Sequence, residues 1–247
     1  MIDAELLRSL PSTFGAGLAL TVALTVLTGV ASFAVAVPVA GLRLASSRRL
    51  RWPVVAYIEV FRNVPALIQI IFWAFALPTL FPMQIRQRLF FDNAVVDALG
   101  AVTGIPLPYY GLAAALGLTL NTSAHLAEIL RGGMQSVPRQ HVDAARSLGA
   151  GRRAAFLSVL VPAGIRAAFP AVSTRLIHNM KNTALASFVA VPELFSRVQG
   201  EITRTFDATR LLLVAAVMYL LLAWLMTVLL AAVDARLRGP GSEPARG

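Results

Sequence analysis

The sequence predicts an all-α, multi-pass membrane protein with five transmembrane helices and a basic helix–turn–helix between the third and fourth. Three observations predict it. Hydrophobic residues make up 57% of the 247 and charged residues only 14%, and mean hydropathy is +0.71, outside the range of ordinary soluble domains. The apolar residues gather into runs long enough to cross a hydrocarbon core of about 30 Å, at about 1.5 Å per helical residue. The longest basic, amphipathic interruption is Arg131–Arg166.

Residues 1–14 read as a short amphipathic leader. Gly15–Leu42 carries no charge and is the first span. Its small residues (Gly17, Ala19, Gly29, Ala31) let other helices approach closely. Arg43–Arg51 is a basic connection without an acid. Val54–Leu77 is the second span, interrupted by Glu59, Arg62, Asn63, Pro65 and Gln69. Pro78 and Pro82 open a long loop to about Pro108, in which Ala94–Leu107 is apolar but too short to cross. Tyr110–Leu130 is the third span and Pro170–Val191 the fourth. Pro192–Arg210 reads as a loop. Leu211–Val233 is the fifth span, and 236–247 a flexible tail. The membrane-spanning body thus covers 15–235, with the basic module at 132–166 inside it.

Charge sets the orientation. The arginines of Arg43–Arg51, Arg131–Arg166 and the C-terminal tail fall on one side. They outnumber Arg8, Arg86, Arg88, Arg197, Arg204 and Arg210 on the other by roughly two to one, and the richer side is cytoplasmic. The N-terminus is expected outside and the C-terminus inside. This use of arginine also accounts for the net charge of +10, and no nucleic-acid-binding module accompanies it. With no cysteine there is no disulfide framework and no thiolate metal site. No removable signal peptide is expected, because the leader carries Asp3 and Glu5 where a basic segment would stand.

Within the module, Val137-Pro138 ends the preceding helix, since a residue before proline is pushed out of the helical region. Gln140–Leu148 has helical periodicity, with Val142, Ala145 and Leu148 on one face and Asp143 and Arg146 on another. Gly149 stands where a C-terminal cap wants positive φ. A second helix is expected from about Arg152 to Val161, ending at Pro162. A cytoplasmic protrusion of this kind suits a protein pushed by a soluble partner.

DAARSLGAGRRAAF followed by VLVP resembles the EAA loop of ABC-importer permeases, with Asp143 where Glu is usual. NTSAHLAEILRGGMQSVP before it, MKNTALAS after it and YIEVFRNVPALIQ near Tyr57 resemble the polar amino-acid branch of that family. The blocks keep their order between Tyr57 and Ser187. The resemblance implies a membrane subunit that is not itself an enzyme. It implies docking on separate ATPase subunits through Asp143, Ala144, Ala145, Arg146, Gly149 and Ala150. It also implies pairing with an identical or sister permease and receipt of solute from an external binding protein at the loops 81–108 and 192–210. Transport would proceed by alternating access.

Polar residues inside spans are the candidates for the solute path, because a charge at a helix centre costs about 2.5–3.5 kcal/mol and faces a bundle or a wet path. Glu59, Arg62 and Gln69 share a stripe of the second span, with Asn63 beside them. Asn121, His125 and Glu128 share one on the third. Arg175, His178 and Asn182 share one on the fourth, with Lys181 alongside. A zwitterionic amino acid needs partners of both signs: Glu59 or Glu128 for the ammonium, and Arg62, Arg175 or Lys181 for the carboxylate. Structural roles compete, since Glu128 sits near Arg131 at the cytoplasmic end and Glu59 can pair with Arg62. At His125 the family usually has tyrosine, so the sequence departs from the pattern there.

No GxxxxGK[ST], HExxH or GxSxG is present, so nucleotide is expected on the partner and no cofactor or metal on this chain. His125 and Glu128 alone make no metal site. The rival reading, an ion-coupled secondary transporter, predicts internal repeats and discontinuous helices, and the sequence suggests neither.

Overall fold

A computed structural model describes residues 4–45, 47–103 and 108–238, and every regular element among them is helical. The first helix, α1 (Ala4–Arg43), runs unbroken through the expected leader and first span, with no boundary at Gly15. Its buried positions are Phe14, Gly17, Thr21, Leu24, Thr28, Ser32, Ala36 and Ala40, in steps of three and four, with Thr25 beside Leu24. The opposite face shows Val22, Val26, Leu27 and Val30 outward. Apart from Phe14 and Leu24, small and hydroxyl side chains face protein while bulky apolar ones face out, a pattern that suits close helix packing in lipid.

The second span is not straight. Helices α2 (Arg48–Asn63) and α3 (Ala66–Thr79) meet at 105°. Pro65 lacks an N–H and forces Val64 into an extended conformation, φ −85° and ψ 128°, which ends α2. A discontinuous helix is therefore present where none was expected.

The long loop at 78–108 also needs correction. Two short helices lie within it, α4 (residues 83–91) and α5 (Ala94–Thr103), and bury Phe90 and Val96. The Gly104–Leu107 part of that segment lies outside the described residues. Helix α6 (Pro108–Ser136) is the third expected span. Helix α7 (Arg139–Ser147) is the first arm of the basic module. The second arm does not stop at Pro162. It continues as α8 (Arg152–Val189), joining the module to the fourth span. A wide π turn at Phe156–Leu160 precedes Pro162, and such turns accommodate a proline that would otherwise break the ladder.

Pro192–Arg210, expected as a loop, holds α9 (Leu194–Thr205), which buries Leu194 and Val198 one turn apart. A search for runs of spanning length passes over a twelve-residue amphipathic helix. Helix α10 (Ala208–Arg238) closes the fold. Of the expected tail, 239–247 lies outside the described residues.

Among the described residues, three helices are long and apolar enough to cross a membrane: α1 from Phe14, α8, and α10 to Leu237. The bent pair α2–α3 makes a fourth if taken as one span. Helix α6 is 29 residues long, about 43 Å, yet less apolar, because it is the hub. It packs against α1, α2, α3, α5 and α8, so protein rather than lipid surrounds it.

Of three apolar clusters among the described residues, one gathers Phe14, Leu194, Val198 and Leu211, and the other two divide the bundle along its length. One joins Leu24, Ile70, Ala113, Leu118 and Ala186. The other joins Ala36, Ile58, Leu126, Leu130 and Val172. On each helix that reaches both, polar side chains lie in between: Thr28 and Ser32 on α1, Asn121, Thr122 and Ser123 on α6, Arg175 and Asn179 on α8. A polar layer lies between two greasy ones.

Candidate functional site

The polar layer starts at the break in the second span. Ending α2 at Val64 leaves the carbonyls of Phe61 and Val64 without helical donors. The Gln69 side chain reaches back and donates Nε2–H to both, at 3.0 and 2.8 Å. Asn121 on α6 donates Nδ2–H to the same carbonyls, at 2.9 and 3.5 Å. Non-helical backbone at membrane depth survives only where protein satisfies it, and these two amides do so.

From Asn121 the network crosses to α8. Arg175 donates from Nη2 to Asn121 Oδ1 at 2.6 Å and to Thr122 Oγ1 at 3.3 Å. Thr122 donates to Asn179 Oδ1 at 2.8 Å, and Asn179 donates to Thr28 Oγ1 on α1 at 2.7 Å. Tyr57 on α2 meets Ser123 at 2.6 Å, and Ser32 donates to the Thr119 carbonyl at 3.2 Å. The layer ties together α1, the α2–α3 break, α6 and α8.

Of the path candidates, the structure brings Gln69, Asn121 and Arg175 into one chain of hydrogen bonds. His125 joins its edge through Nδ1 and the Asn121 carbonyl, 2.9 Å apart. Arg62, Arg175 and His178 are all near enough to act on His125 electrostatically. Arg62 and His178 are exposed. Glu59 and Asn63 pair with each other on the exposed side of α2, at 3.0 Å. Glu128 stands apart, held by Arg131 at 2.8 Å and Arg43 at 3.4 Å, the structural role that competed for it. Lys181 is exposed and borders a groove of about 520 Å³ with Phe195, Leu212 and Tyr219. Asn182 is half-buried at the end of the α-helical part of α8.

The sequence reading missed two features. Asn179 is completely buried and carries the link from α6 to α1. It follows Arg175 by four residues, yet His178 fits the same stripe by three, and spacing alone does not separate them. The hydroxyls Thr21, Thr25, Thr28 and Ser32 were legible, since they recur at helical intervals in a segment otherwise rich in Val and Leu. Glu193 is the second omission. It is fully buried and caps α9 by accepting from the N–H groups of Phe195 and Ser196 at 3.0 and 2.8 Å. It also accepts from Tyr219 of α10 at 2.8 Å and Thr21 of α1 at 3.3 Å. Burial pushes its carboxyl above the ordinary range, and the four donors pull it back. Gly17 lets this joint form, because a Cβ there would lie 3.1 Å from the Glu193 carbonyl.

The basic module has the opposite character. Helix α7 buries no residue. Asp143, Ala144, Arg146 and Gly149 are exposed, and Ala145 and Ala150 half-covered. Gly149 has φ +90°. Its N–H bonds to the Arg146 carbonyl at 3.0 Å and that of Ala150 to the Ala145 carbonyl at 3.0 Å, the paired closure of a Schellman motif. The turn is therefore fixed by backbone. Of the apolar face expected on this arm, Val142 and Ala145 are partly covered, while Leu148 at the tip is 90% exposed.

The chain matches the family model described as "Binding-protein-dependent transport system inner membrane component" over residues 36–239. It is 29% identical over 207 residues to the nopaline transport system permease protein NocM of Agrobacterium fabrum, covering 84% of this chain and 80% of that one. It is 28% identical over 221 residues to the histidine/lysine/arginine/ornithine transport system permease protein HisM of Escherichia coli K12, covering 89% and 87%. Among solved structures, a crystal structure of an amino acid ABC transporter with histidines aligns with a TM-score of 0.75 at 24% identity, covering 96% of this chain and 99% of that one. At that identity the likeness shows the shared fold.

Proposed function

This chain belongs to the binding-protein-dependent transport system inner membrane components, the permease subunits of ABC transporters, and on that premise we propose that it serves an ATP-driven importer of amino acids. The transport role and the lack of chemistry of its own follow from the family. The amino-acid cargo is our reading, supported by the transport systems named for the relatives.

The observation that carries the proposal is the module at α7 and the start of α8. A protruding helix that buries none of its own residues, closed by a backbone-locked turn, offers a rigid surface for a partner to grip. Leu148 and the flanking exposed Asp143, Ala144, Arg146 and Gly149 are the surface we assign to an ATPase subunit, with Ala145 and Ala150 behind them. Because α8 begins in the module and carries Arg175 and Asn179, displacement by the ATPase reaches the polar layer directly. Five crossings, α1, α2–α3 together, α6, α8 and α10, put the module and the C-terminus in the cytoplasm and the N-terminus outside, consistent with the arginine count. The α4–α5 and α9 segments then face the binding protein. The exposed polar side with Arg62, His178 and Lys181 faces a second permease subunit across the solute path.

The secondary-transporter reading gains one point from the broken second span, since such proteins coordinate ions with unwound carbonyls. Here the Phe61 and Val64 carbonyls are taken by Gln69 and Asn121, so they do not serve an ion.

The absence of cysteine gives a ready background for the test. Leu148→Cys should react with a membrane-impermeant maleimide only in inside-out vesicles, and bound ATPase should protect it. Labelling in right-side-out vesicles would overturn the topology. Labelling unaffected by saturating ATPase would overturn the docking surface.

A further inference from the structure

Helix α10 packs on α8 and α9 but hardly meets α1, and a seam stays open between them. A groove of about 530 Å³ runs there, lined by Val26 and Val30 of α1, Phe169 and Leu176 of α8, and Met226 and Val233 of α10. A second hollow of about 260 Å³ continues it past Val22, Met180 and Leu222, and Val26 and Met226 line both. The lining has one hydroxyl, that of Thr25, and it is spent on the Thr21 carbonyl at 2.7 Å. From Leu222 to Val233 the groove follows α10 for about 17 Å, close to half of a hydrocarbon core of about 30 Å. It is one leaflet deep. Its volume over that length leaves it narrower than a helix, which is about 10–12 Å across with its side chains, and wide enough for a hydrocarbon chain.

Charge marks one end of the groove. Arg166 stands one turn before Phe169 on α8, and Arg236 one turn beyond Val233 on α10. Both therefore flank the end nearest the basic module. Both are exposed, and among the described residues neither makes an ion pair or a side-chain hydrogen bond. Asp234, the acid of that stretch, is not part of the lining. An apolar slot one leaflet deep with two guanidiniums at its mouth fits a molecule with an anionic head and a hydrocarbon tail. We infer that an anionic phospholipid binds here, with one acyl chain in the groove and its phosphate against Arg166 and Arg236. Seated there, the chain fills the seam between α1 and α10 and holds the last helix to the bundle.

The test uses the purified permease–ATPase complex in mild detergent, with native mass spectrometry counting bound lipid. The probes are phosphatidylglycerol and phosphatidylethanolamine with identical acyl chains. Phosphatidylglycerol should bind the tighter by about fivefold or more. Arg166→Gln and Arg236→Gln should each weaken it about fivefold and weaken phosphatidylethanolamine less. Ala34→Trp and Val30→Trp, at exposed positions of the groove wall, should displace both lipids while the lipid-free melting temperature stays as in wild type. Equal binding of the two lipids, binding unchanged in the arginine variants, or binding unchanged in both tryptophan variants would overturn the inference. A second arm separates a lipid from a protein cover. Phosphatidylglycerol with a diazirine in its acyl chain, photolysed in vesicles holding the complex, should label peptides containing Val26–Val30 and Met226–Leu230. Labelling confined to other surfaces would mean that a second permease subunit covers the groove, and would overturn the inference as well.

Discussion

The polar layer and the basic module are both rich in side chains that a span-by-span reading marks as functional, and they use them in opposite ways. In the layer, Gln69, Asn121, Thr122 and Asn179 are buried and bonded within the chain. In the module, α7 buries nothing and Leu148 lies open. Polarity inside a bundle first serves the bundle's own backbone. Polarity on a protrusion, with no backbone to rescue, is free for a partner.

The contrast breaks or sharpens under substitution. Asn121→Leu should have the largest effect, because it removes an acceptor of Arg175 and a donor to two carbonyls at once. Arg175 keeps Thr122 and the carbonyls keep Gln69, so the loss is that of a charge-assisted hydrogen bond in a buried network, on the order of 1.5–3 kcal/mol, read as a clear fall in the Tm of the solubilised chain. A small fall would mean that the layer is a lining and not a joint. Gly133→Leu tests packing alone. A Cβ on Gly133 would lie 2.6 Å from the Ala168 Cβ and collide with the Gly164 backbone, so α6 and α8 must separate, at about 1–3 kcal/mol, visible in the same melt. Near-wild-type melting would show that this crossing slides.

Gly149→Val should do less to the fold and more to the function. Nothing lies within 4 Å of a Cβ there, so the penalty is the positive φ, about 1–2 kcal/mol, borne by one turn. The bundle should melt normally while ATP hydrolysis no longer drives uptake. Unchanged coupling would remove the module from the mechanism. The smallest effect belongs to Arg43→Met, which trims a partly exposed ion pair of 3.4 Å to Glu128 worth about 1 kcal/mol or less. A larger loss would mark Glu128 as part of the layer after all.

The sequence shows the fold class, the regions of its major helices and the module, because each follows from a local signal: a long apolar run, an arginine bias, a glycine after a helical period. It shows much less about roles inside the bundle. Glu59, Arg62 and Gln69 share a stripe of one ideal helix, but Pro65 turns α3 by 105°, so Gln69 ends up buried while Glu59 and Arg62 stay exposed. Asn179 and His178 are neighbours in sequence, yet one is buried and the other open, a difference set by how α8 rotates against α6. Helix α9 escaped because it is only twelve residues long and amphipathic, and the burial of its cap Glu193 depends on Thr21 and Tyr219, far away in the chain.

Helix α8 begins at the module's second arm and passes through the polar layer. Arg152 and Arg175 are separated by about 35 Å along it. If the rod pivots by about 5° at its lower end, Arg175 sweeps an arc of about 3 Å, farther than a hydrogen bond stretches. The guanidinium grips Asn121 at 2.6 Å. Each stroke must therefore either drag α6 along or unfasten that grip, which makes Asn121–Arg175 a latch between two positions of the bundle.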